Sequence, residues 1–237
     1  MDTNSENYYD SAAVHYSAMS STRHKYLSGV DQVVIQTLKG LRAENLLDIG
    51  AGDGRRSNYL ANTLGIKHVT AVESSMKMAS KAREQIGENN VLVGDVTELE
   101  LSEGYFDAVV SLWNVFGHIS SKRGRIEVLK KISKSLKPNG KCIIDVNNRY
   151  NARHYGWFAV VRNIFNDVIR KRDRGWFSLQ IDDVEGKVYI HRPAEFKHYL
   201  PGTNLAVECE YYIDYENGSV RKFPWQGQCV YVLGHIS

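Results

Sequence analysis

The hydrophobic positions of the chain change rhythm along its length, and each change predicts a different kind of element. Residues 23–41 carry Tyr26, Val30, Val33, Val34, Leu38 and Leu41 at helical spacing, which predicts an amphipathic helix ahead of the first strand. Short apolar runs without polar alternation follow at Leu46–Ile49, Val69–Val72, Val91–Val93, Phe106–Val110 and Cys142–Val146. Such runs are expected of strands covered on both faces, as in a parallel sheet. Helix-period segments separate them, around Tyr59–Leu64, over Met76–Ile86 and from Ile126 to Leu136, with little more than a turn between Val96 and Tyr105. The last helix is expected to stop at Lys137-Pro138-Asn139-Gly140, a turn that returns the chain to the sheet. Strands alternating with helices imply βαβ units and an open twisted sheet.

The texture changes from Asn147 to about Leu200, where aromatics accumulate. A helix is expected over Gly156–Arg170 and a hairpin from WFSLQID and KVYIHR, turning around Asp183–Gly186. Two more strand-like runs, VECEYYIDY and QCVYVLGHI, end the chain as an expected antiparallel pair. The organisation predicted is therefore a lead and helix over 1–41, a core over 42–148 and 201–237, and an insertion over 149–200. The fold class is α/β, a doubly wound, seven-stranded, mostly parallel sheet.

The most informative string is LLDIGAGDGR, Leu46–Arg55, a buried strand running straight into a glycine-rich turn and then a helix. Glycines there let the backbone turn sharply and let a ligand approach the main chain. A dinucleotide fingerprint wants glycine or alanine at position 55, where this chain has the bulky Arg55, and no phosphate-cradling G-x-x-x-x-G-K-[ST] run is present.

These residues resemble the first motif of the class I S-adenosylmethionine (SAM)-dependent methyltransferases, and further strings in the same order extend the resemblance: AVESSMKMA, VGDV, FDAVVSLWNVFGHI and LKPNGKCIIDV. The resemblance implies a cofactor site for SAM and its product S-adenosylhomocysteine (SAH), with no metal. It places the glycine turn (Gly50, Ala51, Gly52) against the cofactor, Glu73 on both ribose hydroxyls with Ser74 beside it, and Asp95 on the adenine amino group. Gly94 and Val96 would flank the ring, and Leu112 and Trp113 would line the pocket. Asp48 either bonds turn amides or lies near the methionine amino group, and Asp53 is expected to cap the following helix. Met76 is either core filler or packs on ribose and adenine. Tyr9 and Tyr16, in YYDSAAVHY, either fold over the site or belong to a disordered leader.

Methyl transfer from a sulfonium is an in-line displacement, so alignment carries most of the work and a base matters only if the acceptor holds a proton. FGHI resembles a short segment of small-molecule N-methyltransferases that faces the acceptor. His118 is therefore the candidate base, its alternative being a helix-starting histidine bonded to backbone. Asn114, Asn147, Arg149 and Tyr150 lie near the carboxyl end of the sheet, where open α/β folds bind ligands, as substrate contacts or as loop caps. His191 and Arg192 are an active-site pair or surface residues. The aromatics Tyr155, Trp157, Phe158, Trp176 and Phe177 form a lid over a small acceptor, or a local cluster or dimer contact.

Composition narrows the class further. With 43% hydrophobic and 24% charged residues, the 237-residue chain can bury a core and is far from the charge-rich signature of disorder. No apolar run is long enough to span a bilayer and the polar start does not have a signal peptide's layout, so a cytoplasmic protein without a membrane partner is expected. Cys142, Cys209 and Cys229 stand singly in apolar segments and are expected to be buried and unpaired. A net charge of +3 does not demand nucleic acid, although Arg162–Arg174 concentrates five basic residues against two aspartates. The expected function is methylation of a nitrogen or oxygen of a small molecule by a monomer or homodimer. An RNA or protein methyltransferase, or an inactive cofactor-binding subunit, are the alternatives.

Overall fold

The computed structural model describes residues 10–11, 20–169, 175–181 and 184–236. An amphipathic helix α1 (His24–Lys39) precedes β1 (Asn45–Ile49), α2 (Arg55–Leu64), β2 (His68–Glu73), α3 (Met76–Ile86), β3 (Val91–Val93) and β4 (Phe106–Ser111). Helix α4 (Lys122–Ser135) and β5 (Leu136–Val146) complete the alternating part. Strands β1–β5 pair in parallel, in the spatial order 3-2-1-4-5. The sheet continues with β10 (Gln228–His235), β8 (Leu205–Ile213) and the short β9 (Val220–Arg221), all joined by antiparallel pairings.

The sheet has eight strands rather than the expected seven, because the link between the last two long strands pairs Ile213 with Val220 before it reaches β10. Nor is the Lys137–Gly140 segment a free turn. Strand β5 begins at Leu136, and the shift in its register with β4 between Phe106 and Ala108 absorbs Pro138 as an irregularity.

Alternation explains why the apolar runs need cover on both sides, since neighbouring strand residues point to opposite faces. Leu46, Ala108, Val110, Ile143, Val230 and Val232 pack under α1 through Tyr26, Val30, Val33, Val34 and Leu38. On the opposite face Leu47, Ile49, Val109, Ile144 and Tyr231 meet Val128, Leu129 and Ile132 of α4. Each such fully buried aliphatic side chain contributes about 1.5–3 kcal/mol. Ser75 caps α3 by accepting from the Met78 amide at 3.2 Å, and Ser121 caps α4 by accepting from Gly124 at 2.9 Å. Cys142 and Cys229 are buried in this core, whereas Cys209 is exposed because β8 is solvated along its middle.

The segment after β5 holds the single turn α5 (Ala152–Tyr155), helix α6 (Trp157–Ile164) continuing as a π-helical turn over Phe165–Ile169, and an antiparallel hairpin β6 (Trp176–Ile181) and β7 (Val184–Tyr189). The predicted helix and hairpin are both present over the described residues, but the hairpin's second strand begins at Val184, so Gly186, expected in the turn, is paired with Leu179 within the strands. Among those residues no helix is long and apolar enough to cross a membrane.

Candidate active site

A cavity of about 380 Å³ opens at the carboxyl ends of the parallel strands. Its floor is built by the corners that follow β1, β2, β3 and β4, where the resemblance places cofactor contacts. After β1 the chain turns through Gly50 (φ 75°), Gly52 (φ 60°) and Gly54 (φ 75°), a left-handed conformation that side chains with a Cβ adopt at a cost. Gly50 and Gly52 line the cavity, and Ala51 is buried beside them.

Glu73 ties this turn to the next corner. One carboxylate oxygen accepts from the Gly52 amide at 2.8 Å and the other from the Ser75 amide at 2.9 Å. A carboxylate has about four acceptor sites, so with the neighbouring amides bound it still keeps acceptor capacity on the cavity wall. Burial pushes the Glu73 carboxyl up to about 7, against the opposing pull of the Ser75, Gly52 and Ser74 amides. Asp95 uses one oxygen to accept from the Thr97 amide at 2.8 Å and lines the same cavity with Gly94 and Val96. Val72, Met78, Leu112 and Ile119 supply apolar wall. A paired acceptor for a diol, a second carboxylate, an apolar slot and a glycine cradle fit SAM. When bound, SAM supplies a methyl group carried on a sulfonium.

Other candidates take different places. Asp48 is buried, and its carboxylate accepts from the Ser57 hydroxyl at 2.6 Å; burial raises it to about 6. Asp53 pairs with Arg55 while Gly54 occupies the cap position of α2. Met76 is 62% exposed and off the cavity wall, which Met78 joins instead. Tyr9 and Tyr16 lie outside the described residues.

Trp113 (φ 68°) and Asn114 (φ 60°) both adopt the left-handed region directly after β4, a local strain of the kind found at ligand sites. Buried Asp145 holds them, accepting from the Asn114 amide at 3.1 Å and from the Tyr26 hydroxyl at 2.5 Å. The Asn114 side-chain oxygen in turn accepts from the Asn147 amide at 2.8 Å. Trp113, Asn114 and Asn147 therefore reach the cavity as one braced unit. His118 follows on the wall, one turn further on. It keeps partial exposure through the cavity, but the dense surroundings lower it to about 4, and a hydrogen bond with the Lys187 backbone opposes that fall only in part.

Four of the proposed substrate contacts lie off the wall. Arg149 is 2% exposed and makes a bidentate pair with Asp167, both bonds at 3.0 Å, while donating to the Ile190 carbonyl at 2.7 Å. The Tyr150 hydroxyl donates to the same Asp167 at 2.8 Å. His191 is fully buried rather than superficial, packed edge-on against Tyr189 and Tyr199, and Arg192 is bonded to Glu195. These residues tie the parts of the segment after β5 to one another. Arg23, His154 and Tyr215 do line the cavity, although sequence reading did not single them out. Arg23 lies over the Trp113 and Tyr215 rings at 5.6 Å each, and the His154 and Tyr215 rings are 4.3 Å apart. They come from three distant parts of the chain and share no motif.

Together the doubly wound sheet, the glycine turn and the two strand-end carboxylates define a class I SAM-dependent methyltransferase domain. Residues 46–140 match the family described as "Methyltransferase domain". The chain is 30% identical over 108 residues to the malonyl-[acyl-carrier protein] O-methyltransferase of Geobacter sulfurreducens, a match covering 44% of this chain and 40% of that protein. It thus spans less than half the length of that relative. In structure it is similar to a SAM-dependent methyltransferase from Clostridium acetobutylicum (TM-score 0.65, 18% identity, 93% of this chain and 98% of that one). It is likewise similar to DhpI in its SAH complex (TM-score 0.63, 15% identity, covering 97% and 94%).

Glu73 provides a prediction that separates binding from structure. Replacing it by alanine removes a charged acceptor worth about 1.5–3 kcal/mol, so affinity for SAM and SAH should fall roughly 10- to 150-fold. Diol hydroxyls favour the ionised carboxylate. Because Glu73 stands near 7 in the free protein, binding at pH 6 should release a proton, and affinity should rise with pH until it levels above 7. The free protein shows the opposite trend, since native Glu73 holds a proton that the unfolded chain has lost between about 4.5 and 7, and its stability contribution declines across that window. Calorimetry in two buffers of different ionisation heat measures both. Unchanged affinity in a folded Glu73→Ala protein would remove Glu73 from the site.

Proposed function

We propose that this chain transfers the methyl group of SAM to a nitrogen or oxygen of a small-molecule acceptor bound beside His118. The observation that carries the reading is a single cavity whose floor holds Glu73 and Asp95 and whose roof is the β6–β7 hairpin. Phe177, Leu179, Val188 and Ile190 cover it, with Tyr155 from α5. This lining supports reading the segment over 149–200 as a substrate lid and 1–41, through Arg23, as a flank of the cofactor site. A concave, mostly apolar cavity with a few polar groups is the kind of site that takes a small acceptor.

The residues act by holding the acceptor in line with the methyl group and by keeping water out. Bound SAM would supply the methyl group to the acceptor nitrogen or oxygen with its sulfur as leaving group, and neutral His118 would take the acceptor's proton. The braced Trp113–Asn114 corner fixes that histidine's distance from the floor. No further charged catalyst is required of the wall.

The test is methyl transfer from labelled SAM to a mixture of small amines, hydroxyl compounds and carboxylates, in parallel with total RNA and a protein extract. Label entering the small-molecule fraction, with little effect of salt between about 50 and 200 mM, supports the reading. Label confined to RNA, with steep salt dependence, would support the RNA alternative. Cofactor binding without turnover on any fraction would favour the subunit reading.

A further inference from the structure

Helix α6 and its π-helical extension are built inside out. Trp157, Phe158, Val161, Val168 and Ile169 recur at helical spacing and are 60–84% exposed, while the face turned to the body is largely polar. There the Asn163 amide donates to the Arg149 carbonyl at 3.1 Å, Asn166 is buried, and Asp167 pairs with Arg149. Val160 is the buried apolar residue of α6. Folded proteins seldom leave so continuous an apolar stripe to water unless something covers it.

We propose that this stripe is a docking surface for the headgroup–acyl boundary of an anionic phospholipid bilayer. Charge selects this occupant. Arg162 is the exposed ionic side chain of 157–169, since the Asp167 side chain is 2% exposed and already neutralised by Arg149. The chain then continues directly as Arg170-Lys171-Arg172-Asp173-Arg174. An aromatic and aliphatic face bordered by basic residues is the composition of an interfacial helix. A second copy of the chain would bring like charge against like. Nucleic acid would meet the cations but leave Val161, Val168 and Ile169 in water, since aliphatic side chains offer bases no stacking partner. The lack of a spanning apolar run bears on transmembrane segments, and surface docking needs none.

The test is flotation of the full chain with vesicles of phosphatidylcholine alone and of phosphatidylcholine with roughly a third phosphatidylglycerol. The expected result is binding to the mixed vesicles, weakened by salt. Phe158→Ser and Val161→Ser should each reduce it about tenfold or more, the scale of removing one large apolar side chain from the boundary. Arg162→Glu should weaken binding to mixed vesicles and leave the thermal midpoint unaltered. Vesicle-free sedimentation supplies the competing outcomes. A dimer that dissociates on Phe158→Ser would overturn the proposal in favour of self-association, as would RNA binding insensitive to Phe158→Ser in favour of nucleic acid. Equal failure to bind both vesicle types by the folded wild type would also overturn it. Because flotation reads no methyl transfer, its failure would leave the proposed chemistry standing.

Discussion

Arg149→Ala is expected to cost about 3–5 kcal/mol of stability, the scale on which breaking one side of a buried ion pair falls. The guanidinium is 2% exposed and satisfies Asp167 side-on through Nε and Nη2. Removing it leaves a buried carboxylate with the Tyr150 hydroxyl as its remaining side-chain partner among the described residues. It also takes away the donor to the Ile190 carbonyl, at the end of the hairpin that roofs the cavity. For a chain of this size the thermal midpoint should fall by roughly 6–20 °C. Arg149→Lys should recover only part of this, because an ammonium cannot reproduce the two-pronged bond. Since Arg149 does not line the cavity, SAM affinity of the folded fraction should stay within about twofold of wild type, a change of under ~0.5 kcal/mol. Thermal unfolding and limited proteolysis between 156 and 181 measure the effect. A loss below about 1 kcal/mol, the range of an exposed pair, would show that the lid is held by something else.

His118→Ala or His118→Asn is expected to lower single-turnover methyl transfer by ~10²-fold or more, with cofactor affinity nearly constant. The burial that lowers His118 to about 4 keeps the imidazole neutral at any physiological pH, so it can take a proton without first losing one. The rate should therefore show no inflection near the ordinary histidine value and should fall only as pH approaches 4. His118→Asn should abolish that acidic limb. Stability carries an independent signature. Between about 4 and 6.5 the unfolded chain protonates this histidine and the native state does not, so the native state loses stability as pH falls through that window. His118→Asn should flatten the acidic side of the stability profile. If turnover is unchanged in a variant that loses only stability, His118 is a structural residue and alignment alone drives the transfer.

Local pattern determined most of the scaffold. Short, mainly apolar runs of three to five residues are stable only when covered twice, so the parallel strands, their order along the chain and the helices between them followed from periodicity. The corners after β1, β2 and β3 followed too, because a strand end fixes which residues sit at the ligand side of the sheet. Gly50, Gly52, Glu73, Gly94, Asp95 and Val96 all line the cavity. Side-chain direction beyond those corners was beyond the reach of pattern. Met76 and Met78 differ by two helical positions, about 200° around the axis, and only packing decided which one faces inward. Arg149, Tyr150, His191 and Arg192 read as polar residues at the right end of the sheet. Asp167, on a later element, drew Arg149 and Tyr150 into a clamp because a buried cation needs a buried partner, while Glu195 holds Arg192 within one local turn. Arg23, His154 and Tyr215 met across the cavity through long-range contacts that no window of sequence contains. The outward apolar stripe of 157–169 was legible as helical periodicity. Which way it pointed was decided by the polar grip of Arg149 on its other face.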